Sequence, residues 1–351
     1  MKKILIFTGA GMSVPLGLPT TTDFMTAVNN GIGQITQYIV EYLGSSGGDI
    51  EWLLSTLESF KSETALTEFL LTKIKTSHSS NPHIQEVSKI FESQISSFRS
   101  QAASEIIRIK KIIFDQLSQY QPEKALALYL NLIKEIKENF GDVALSIITT
   151  NYDLTFETAI ESYQSEWITA GINDVDFGFS IQFGRPIYNP SKDFNWDSTI
   201  IEYLKIHGSV DWHRDARGKC SRSMSSTVPD DPDQMAILYP GFKGVPELEP
   251  FISMHGRLNT RLAEADLVIV IGFAFRDTYI NSIFENILRI RKDLEILYFN
   301  PVKIDKFPKN SLVPYLTNNY SNFRHIERGI EVSEKSLQLE TISLGGSTPS
   351  P

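Results

Sequence analysis

The feature that most constrains the fold of this chain is a set of short, continuous apolar runs. They span residues 3–8, 143–150, 203–206, 267–272 and 294–299. Strands without alternating polar residues are typical of a parallel sheet that is covered by helices on both faces. A helical segment, Thr278–Arg291, separates the last two runs and gives a β-α-β unit. We therefore predict an α/β fold with a Rossmann-like parallel sheet, helices on both faces and a helical insert.

The helical insert is predicted from the apolar spacing between residues 49 and 140. Large apolar side chains recur there three or four positions apart, which is the period of a helix face. The clearest stripe consists of Ile84, Val87, Phe91, Ile95, Phe98 and Ala102. Pro122 and Gly141 bracket the last predicted helix, in the positions these residues favour at helix ends. Most of these apolar side chains are expected to form core, and a partner-binding helix is the alternative.

The domain organisation follows from where these patterns stop. Residues 177–250 are rich in Pro, Gly, Asp and Ser, so we expect a loop-rich insert with a few short strands, mobile near 221–233. The tail, residues 341–351, has the composition of a disordered segment. The remainder, residues 1–340, is predicted to be one domain.

Charge and hydropathy narrow the classes of function. The net charge of −9 argues against a broad surface for nucleic acid or anionic membrane, so neither partner is expected. The apolar runs are too short to cross a bilayer. The first apolar run ends at a glycine turn and no cleavage site follows it, unlike a signal peptide. We expect a cytoplasmic protein.

Cysteine usage bears on metal binding. Cys220 is the only cysteine, so an intrachain disulfide and a cysteine-rich zinc site are both excluded. His207 and His213 could join it as two further ligands of a metal, but a fourth ligand is not evident. No metal is expected.

Polar side chains and glycines stand where the predicted strands end. In open parallel sheets, ligands bind beyond the carboxyl ends of the strands. Gly9 and Gly11 follow the first run and would allow a phosphate to approach the backbone. This signal is weak alone, because Val14 replaces the third glycine of the usual fingerprint. A glycine turn that serves packing is the alternative.

Three further side chains at strand ends suggest a catalytic site. Asn151 and Asp153 follow the second run, and His207 follows the third. An imidazole can accept a proton near neutral pH, and an amide can orient a hydroxyl or a water molecule. The structural alternatives are a turn or helix cap for Asn151 and Asp153, and a buried, hydrogen-bonded histidine for His207.

Taken together, these motifs resemble the sirtuin family, most closely the sirtuin-like domains of bacterial antiphage defence systems. The motifs that carry the resemblance are, in chain order, Gly9-Ala10-Gly11-Met12-Ser13, Gly17-Leu18-Pro19, Thr150-Asn151-Tyr152-Asp153, His207-Gly208-Ser209, Gly272-Phe273 and Asn300-Pro301. Their order and approximate spacing match across most of residues 1–301. The resemblance implies catalytic roles for Asn151, His207 and Asp153, and NAD⁺ binding by Gly9, Ala10, Gly11, Ser13, Pro19, Thr150, Gly272, Phe273 and Asn300.

The departures from the family change the expected activity. Sirtuin deacylases carry four zinc-binding cysteines after the catalytic histidine, and this chain has only Cys220. Their Asp-Phe-Arg after the second glycine motif is replaced by Thr20-Thr21-Thr22-Asp23-Phe24. The resemblance therefore implies plain NAD⁺ hydrolysis, without a metal, that depletes NAD⁺ in an abortive antiviral response. The alternatives are a protein deacylase or ADP-ribosyltransferase, and a non-catalytic sensor of NAD or ADP-ribose.

Two expectations concern partners. The apolar surplus of the helical insert, which includes Phe60, Phe69, Leu70, Phe91, Phe98 and Phe114, predicts a homo-oligomer. The alternative is that this insert packs into a self-contained helical subdomain. The family resemblance, and no residue pattern, implies a HerA-type ATPase as a possible partner.

Overall fold

A computed structural model describes residues 1–20, 23, 26, 28, 33–43, 50–182, 185–189, 195–215, 217–223, 235–238, 246 and 248–342. The predicted mobile segment near 221–233 lies largely outside the described residues, and so does the tail from residue 343 onward.

The strands, in chain order, are β1 (Lys2–Thr8), β2 (Val143–Thr149), β3 (Asp174–Asp176), β4 (Phe179–Gln182), β5 (Arg185–Tyr188), β6 (Ile200–Lys205), β7 (Gly208–Arg214), β8 (Cys220–Arg222), β9 (Met235–Ile237), β10 (Leu267–Ile271), β11 (Glu295–Phe299) and β12 (Phe323–Ile326). The helices are α1 (Gln34–Leu43), α2 (Ile50–Ser77), α3 (Pro82–Leu117), α4 (Pro122–Phe140), α5 (Thr155–Ser162), α6 (Gln164–Thr169), α7 (Phe251–Glu264), α8 (Thr278–Ile290) and α9 (Val313–Asn319).

The main sheet is parallel and has the strand order β12-β11-β10-β1-β2-β6-β3. Each predicted apolar run forms one of its central strands. Side chains of β1 alternate between two cores, with Ile4 and Ile6 on one face and Leu5 and Phe7 on the other. Helices α4 and α5 cover the first face, and α7, α8 and α9 cover the second. The predicted α/β Rossmann-like fold is confirmed.

The loop-rich region contains more regular structure than its composition indicated. Five of its short strands form an antiparallel sheet with the order β4-β5-β8-β7-β9. Pro, Gly, Asp and Ser mark the turns between these strands, but the strands have only three to seven residues and give little periodicity to detect. Their pairing depends on contacts between segments that are distant in sequence.

Helices α2 and α3 form an antiparallel hairpin whose two halves differ. Near its base, Leu53, Leu57 and Ile109 belong to a third core that also contains Tyr152, beside the main sheet. Phe60 and Phe114 pack against this core. The base of the hairpin therefore packs against the loop after β2, which contains Tyr152.

In the far half of the hairpin, two ion pairs join the helices. They join Lys75 to Glu92 and Arg99 to Glu68, each with an N–O distance of 2.8 Å. Large apolar side chains point outward instead: Leu66, Phe69, Leu70, Ile74, Val87, Ile90, Phe91 and Phe98 are all exposed.

No helix among the described residues is both long enough and apolar enough to span a bilayer.

Candidate functional site

The register of the main sheet brings the predicted motifs to one edge. Thr8 pairs with Ile271 on one side and with Thr149 on the other, and Thr149 pairs with Lys205. The residues after these strands therefore lie side by side. On one side of β1 the sheet continues with β2, which is the next strand along the chain. On the other side it continues with β10, β11 and β12. Such a reversal of strand order opens a crevice that binds ligands in α/β proteins.

A cavity of about 670 Å³ occupies this crevice. Its volume is in the range of sites that hold small molecules and cofactors. The predicted residues that line it are Ala10, Gly11, Ser13, Pro19, Thr150, Asn151, Asp153, His207, Gly272, Phe273 and Asn300. The remaining predicted residue, Gly9, does not line the cavity. It packs against the backbone of Phe273 instead.

The two glycine loops are in direct backbone contact. The N–H of Gly11 donates a hydrogen bond to the carbonyl of Gly272, with an N–O distance of 3.0 Å. A Cβ atom on Gly11 would lie 2.6 Å from the Cα of Gly272, and one on Gly9 would lie 2.8 Å from the Cα of Phe273. Gly272 has φ of +62°, which glycine adopts without strain. These glycines are therefore required by close packing between β1 and β10, as well as by any ligand.

Asn151 and Asp153 tie the loop after β2 to the loop after β1. The amide of Asn151 donates to the carbonyl of Gly9 (3.0 Å) and to the Ser13 hydroxyl (3.2 Å). The Ser13 hydroxyl donates to Oδ2 of Asp153 (2.8 Å). Oδ1 of Asp153 accepts from the backbone N–H and the hydroxyl of Thr155 at the start of α5. The N-cap of α5 is Leu154, so the turn interpretation, and not the helix cap, describes one oxygen of Asp153, and the other oxygen reaches the glycine loop.

A buried ion pair between Lys205 and Glu157 contacts the loop after β2. The Lys205 ammonium lies 2.8 Å from Oε1 of Glu157 and 2.9 Å from the Ser209 hydroxyl, and it also donates to the carbonyl of Asp153. Burial raises the pKa of Glu157, although the charge of Lys205 acts in the opposite direction. The pair joins β6, β7 and α5 immediately beside His207.

His207 is buried at the cavity wall, and its nearest charged neighbour is Asp277. Nε2 of His207 lies 3.2 Å from Oδ2 of Asp277, although the contact is less well directed than an ideal hydrogen bond. The ring of His255 stacks on His207 with 5.9 Å between the ring centroids. Burial lowers the pKa of His255 to about 4, and the neighbouring His207 acts in the same direction. His255 is therefore neutral at physiological pH.

Sequence reasoning did not assign a role to Asp277 or to several other lining residues. The additional side chains at the cavity include Arg276, Asp277, Lys306, Phe307 and Ile330. Asp277 was detectable as a helix N-cap, since it directly precedes the apolar periodicity of α8. No local sequence pattern predicts that Asp277 contacts His207.

Asn300 lines the cavity, but its side chain is used within the protein. Its amide donates to the Tyr298 hydroxyl (2.8 Å), and its Oδ1 accepts from the backbone N–H of Val302 (3.0 Å). The Tyr298 hydroxyl in turn donates to the carbonyl of Phe273 (2.7 Å). Asn300 thus organises the turn after β11 and holds it to the loop after β10.

Comparison with known proteins gives one family-model match, and it covers part of the site. Residues 145–312 match the family model of the SIR2-like domain. The matched range includes Asn151, His207 and Asp277 but ends before α9. The match does not include the glycine loop after β1.

Solved structures give more distant matches. A mutant Sir2 homologue in complex with 2′-O-acetyl ADP-ribose is 15% identical, with a TM-score of 0.48, and the alignment covers 98% of this chain and 94% of that chain. A Sir2 homologue in complex with NAD is 16% identical, with a TM-score of 0.45, and covers 86% of this chain and 79% of that chain. None of the curated proteins compared with the sequence matches it.

Proposed function

We propose that this protein is an NAD⁺ hydrolase, which cleaves NAD⁺ to nicotinamide and ADP-ribose. The observation that carries the proposal is the composition of the cavity. It combines two glycine loops at the reversal of strand order with the amide of Asn151 and the buried imidazole of His207. The SIR2-like match is consistent with an activity that uses NAD⁺.

The proposed roles follow from the hydrogen bonds within the site. Because the Asn151 amide donates to Gly9 and Ser13, its Oδ1 is the atom available to accept from a ribose hydroxyl or a water molecule. His207 takes the proton that is released when water adds to the anomeric carbon. Asp153 holds Ser13 and places a negative charge near the positive charge that develops on the ribose.

Positioning accounts for most of the proposed rate acceleration. Cleavage of the bond between nicotinamide and ribose requires no covalent enzyme intermediate, since nicotinamide is a good leaving group. Fixed dipoles in a water-poor cavity stabilise charge that appears only in the transition state. The short turn that contains Val14 and Pro15 lines the cavity and would limit the access of water to the nicotinamide end.

One experiment separates the proposal from its alternatives. Purified protein is incubated with NAD⁺, with and without an acetylated peptide, and free nicotinamide is measured. Peptide-independent release supports hydrolysis, whereas release only with peptide indicates a deacylase. Binding of NAD⁺ without release indicates a sensor.

Activity is expected to survive EDTA and the Cys220→Ser substitution. Burial raises the pKa of the Cys220 thiol to about 12, and a protonated thiol is a poor metal ligand. Among the described residues, no group of three or more His, Cys, Asp and Glu side chains could hold a metal ion. The measurement is nicotinamide release after dialysis against EDTA, together with zinc content. Stoichiometric zinc, or activity lost on chelation and restored by metal, would contradict this prediction.

The isolated chain is expected to form a homo-oligomer through the far half of the α2–α3 hairpin. A standard interface buries about 800 Å² per partner, and the outward apolar side chains, which include Phe69 and Phe91, would form its centre. Light scattering should give a mass above the 39.6 kDa of one chain. The double substitution Phe69→Ser and Phe91→Ser should reduce that mass.

Ile290→Ser provides the matched control for assembly. Ile290 is 76% exposed, more than either phenylalanine, but it lies at the end of α8 and away from the hairpin. This variant should keep the mass of the unmodified protein. A wild-type mass of one chain at micromolar concentration would instead favour the self-contained helical subdomain.

We further propose a biological setting of antiphage defence through NAD⁺ depletion. This rests on the resemblance of the sequence motifs to sirtuin-like defence domains. An enzyme that depletes NAD⁺ must be held inactive until it is needed, so the same resemblance motivates a test for association with a HerA-type ATPase. Co-expression with such an ATPase, followed by size-exclusion chromatography, is the direct test.

A further inference from the structure

We propose that Asp277 is a positioning residue for His207. Its carboxylate holds the imidazole in the tautomer that carries hydrogen on Nε2 and keeps Nδ1 as the proton acceptor. This inference rests on the proposed function for its effect on turnover, but the tautomer itself can be measured without any turnover.

The carboxylate of Asp277 serves two groups at once. Oδ1 accepts the backbone N–H groups of Tyr279 (2.8 Å) and Ile280 (3.0 Å), which caps α8. Oδ2 lies 3.2 Å from Nε2 of His207. Capping alone does not require a carboxylate, because Asn and Ser cap helices as well as Asp does. The second oxygen and the charge are therefore explained by the contact with His207.

The loop that carries Asp277 is rigidly held. The carbonyl of Phe275 accepts from the backbone N–H of Leu312 and from the side chain of Asn281, each at 2.9 Å. The carbonyl of Ala274 accepts from the Ser311 hydroxyl at 2.8 Å. Phe275 is fully buried and has φ of +49°, a conformation that is costly for a non-glycine residue. Such strain persists only where the surroundings fix the backbone, so Asp277 has little freedom to move away from His207.

Of the two titratable side chains in contact with the His207 ring, only Asp277 is charged at physiological pH. From α7, the stacked ring of His255 is neutral at physiological pH, and its Nδ1 lies 2.8 Å from the carbonyl of Phe251. From the start of α8, Asp277 is ionised. Burial alone would raise the pKa of Asp277, but the contact with His207 and the backbone N–H donors lower it overall. The fixed carboxylate is thus the group that discriminates between the two imidazole tautomers.

This arrangement has a defined chemical consequence. A neutral imidazole has one N–H, and a carboxylate partner favours that hydrogen on the nitrogen facing it. Among the described residues, neither ring nitrogen makes a well-directed hydrogen bond, and Nε2 differs from Nδ1 in its 3.2 Å contact with the carboxylate. A proton that passes from a ribose hydroxyl or a water molecule to Nδ1 produces an imidazolium that Asp277 stabilises. The same proton then leaves to solvent, so the residue pair is unchanged after each turnover.

The primary test is Asp277→Asn, because asparagine keeps an oxygen that can cap α8 and removes only the charge. Nicotinamide release should fall about 10²-fold in kcat, with KM for NAD⁺ changed by less than about threefold. The melting temperature should stay close to that of the unmodified protein. Asp277→Ser, which can also cap but cannot reach His207, should show the same loss.

A double-mutant cycle separates positioning from a general structural role. In a His207→Ala background, Asp277→Asn should cause no further loss of residual activity, because the two residues act as a unit. Asp197→Asn is the matched control. Asp197 also accepts from a backbone N–H and a hydroxyl, both of Thr199, but it lies outside the cavity. It should leave kcat unchanged.

The decisive measurement is independent of activity. The ¹⁵N chemical shifts of the His207 ring report its tautomer in the full-length protein, with the signal assigned by its absence in His207→Ala. The Nε2–H form should dominate in the unmodified protein and lose its dominance in Asp277→Asn. An unchanged tautomer in Asp277→Asn would overturn the inference, as would full turnover by that folded variant. If the unmodified protein does not release nicotinamide, the proposed function fails, and the tautomer measurement still decides the role of Asp277.

Discussion

His207→Ala and Asn151→Ala are each expected to lower the rate of NAD⁺ hydrolysis by at least about 10²-fold while the protein remains folded. Removal of a positioned general base typically costs 10²–10⁴-fold in rate. Asn151 has a second effect, because its amide also holds the carbonyl of Gly9 and the hydroxyl of Ser13. We therefore expect Asn151→Ala to weaken NAD⁺ binding as well, whereas His207→Ala should act mainly on kcat.

His213→Ala is the control for this experiment. His213 lies on β7, the strand that begins immediately after His207, and its Nε2 is 2.7 Å from the Ser223 hydroxyl. It does not line the cavity. Nicotinamide release by this variant should match that of the unmodified protein. Full turnover by a folded His207→Ala protein would remove the basis for the assigned mechanism.

Gly11→Ala is expected to have the largest combined effect on stability and ligand binding. The added Cβ would lie 2.6 Å from the Cα of Gly272 and 3.0 Å from its carbonyl oxygen. Both contacts are with backbone, so no side chain can rotate to relieve them. The loops after β1 and β10 would have to separate and break the hydrogen bond from Gly11 to Gly272. We expect a loss of about 2 kcal/mol or more in the free energy of unfolding, and loss of NAD⁺ binding.

Gly256→Ala is the matched substitution. Gly256 lies within α7, and a Cβ atom there would meet no atom within 4 Å. Because alanine favours helix more than glycine does, this variant should gain up to about 1 kcal/mol. Urea unfolding and isothermal titration with ADP-ribose compare the two variants. A Gly11→Ala protein with unchanged stability and affinity would show that the two loops do not need their close contact.

The amino-acid sequence determined the sheet and the composition of the candidate site. The runs that form β1, β2, β10 and β11 are continuous and apolar. Because this pattern is local, the strands can be predicted from the sequence without knowledge of the fold. The same holds for α8, whose apolar spacing follows an Asp cap. Parallel pairing then places every strand end at one edge, which is why Gly11, Asn151 and His207 could be assigned to one site.

Only the tertiary structure decided how these residues are used. Asp277 and His207 follow different strands, and no local pattern encodes their 3.2 Å contact. Asn300 stands at the expected strand end, yet the Tyr298 hydroxyl and the Val302 N–H engage its side chain. The exposure of the apolar face of the α2–α3 hairpin could not be predicted from a local pattern either. Periodicity marks an apolar stripe as buried, but whether it is covered by this chain or by a partner depends on packing between distant segments.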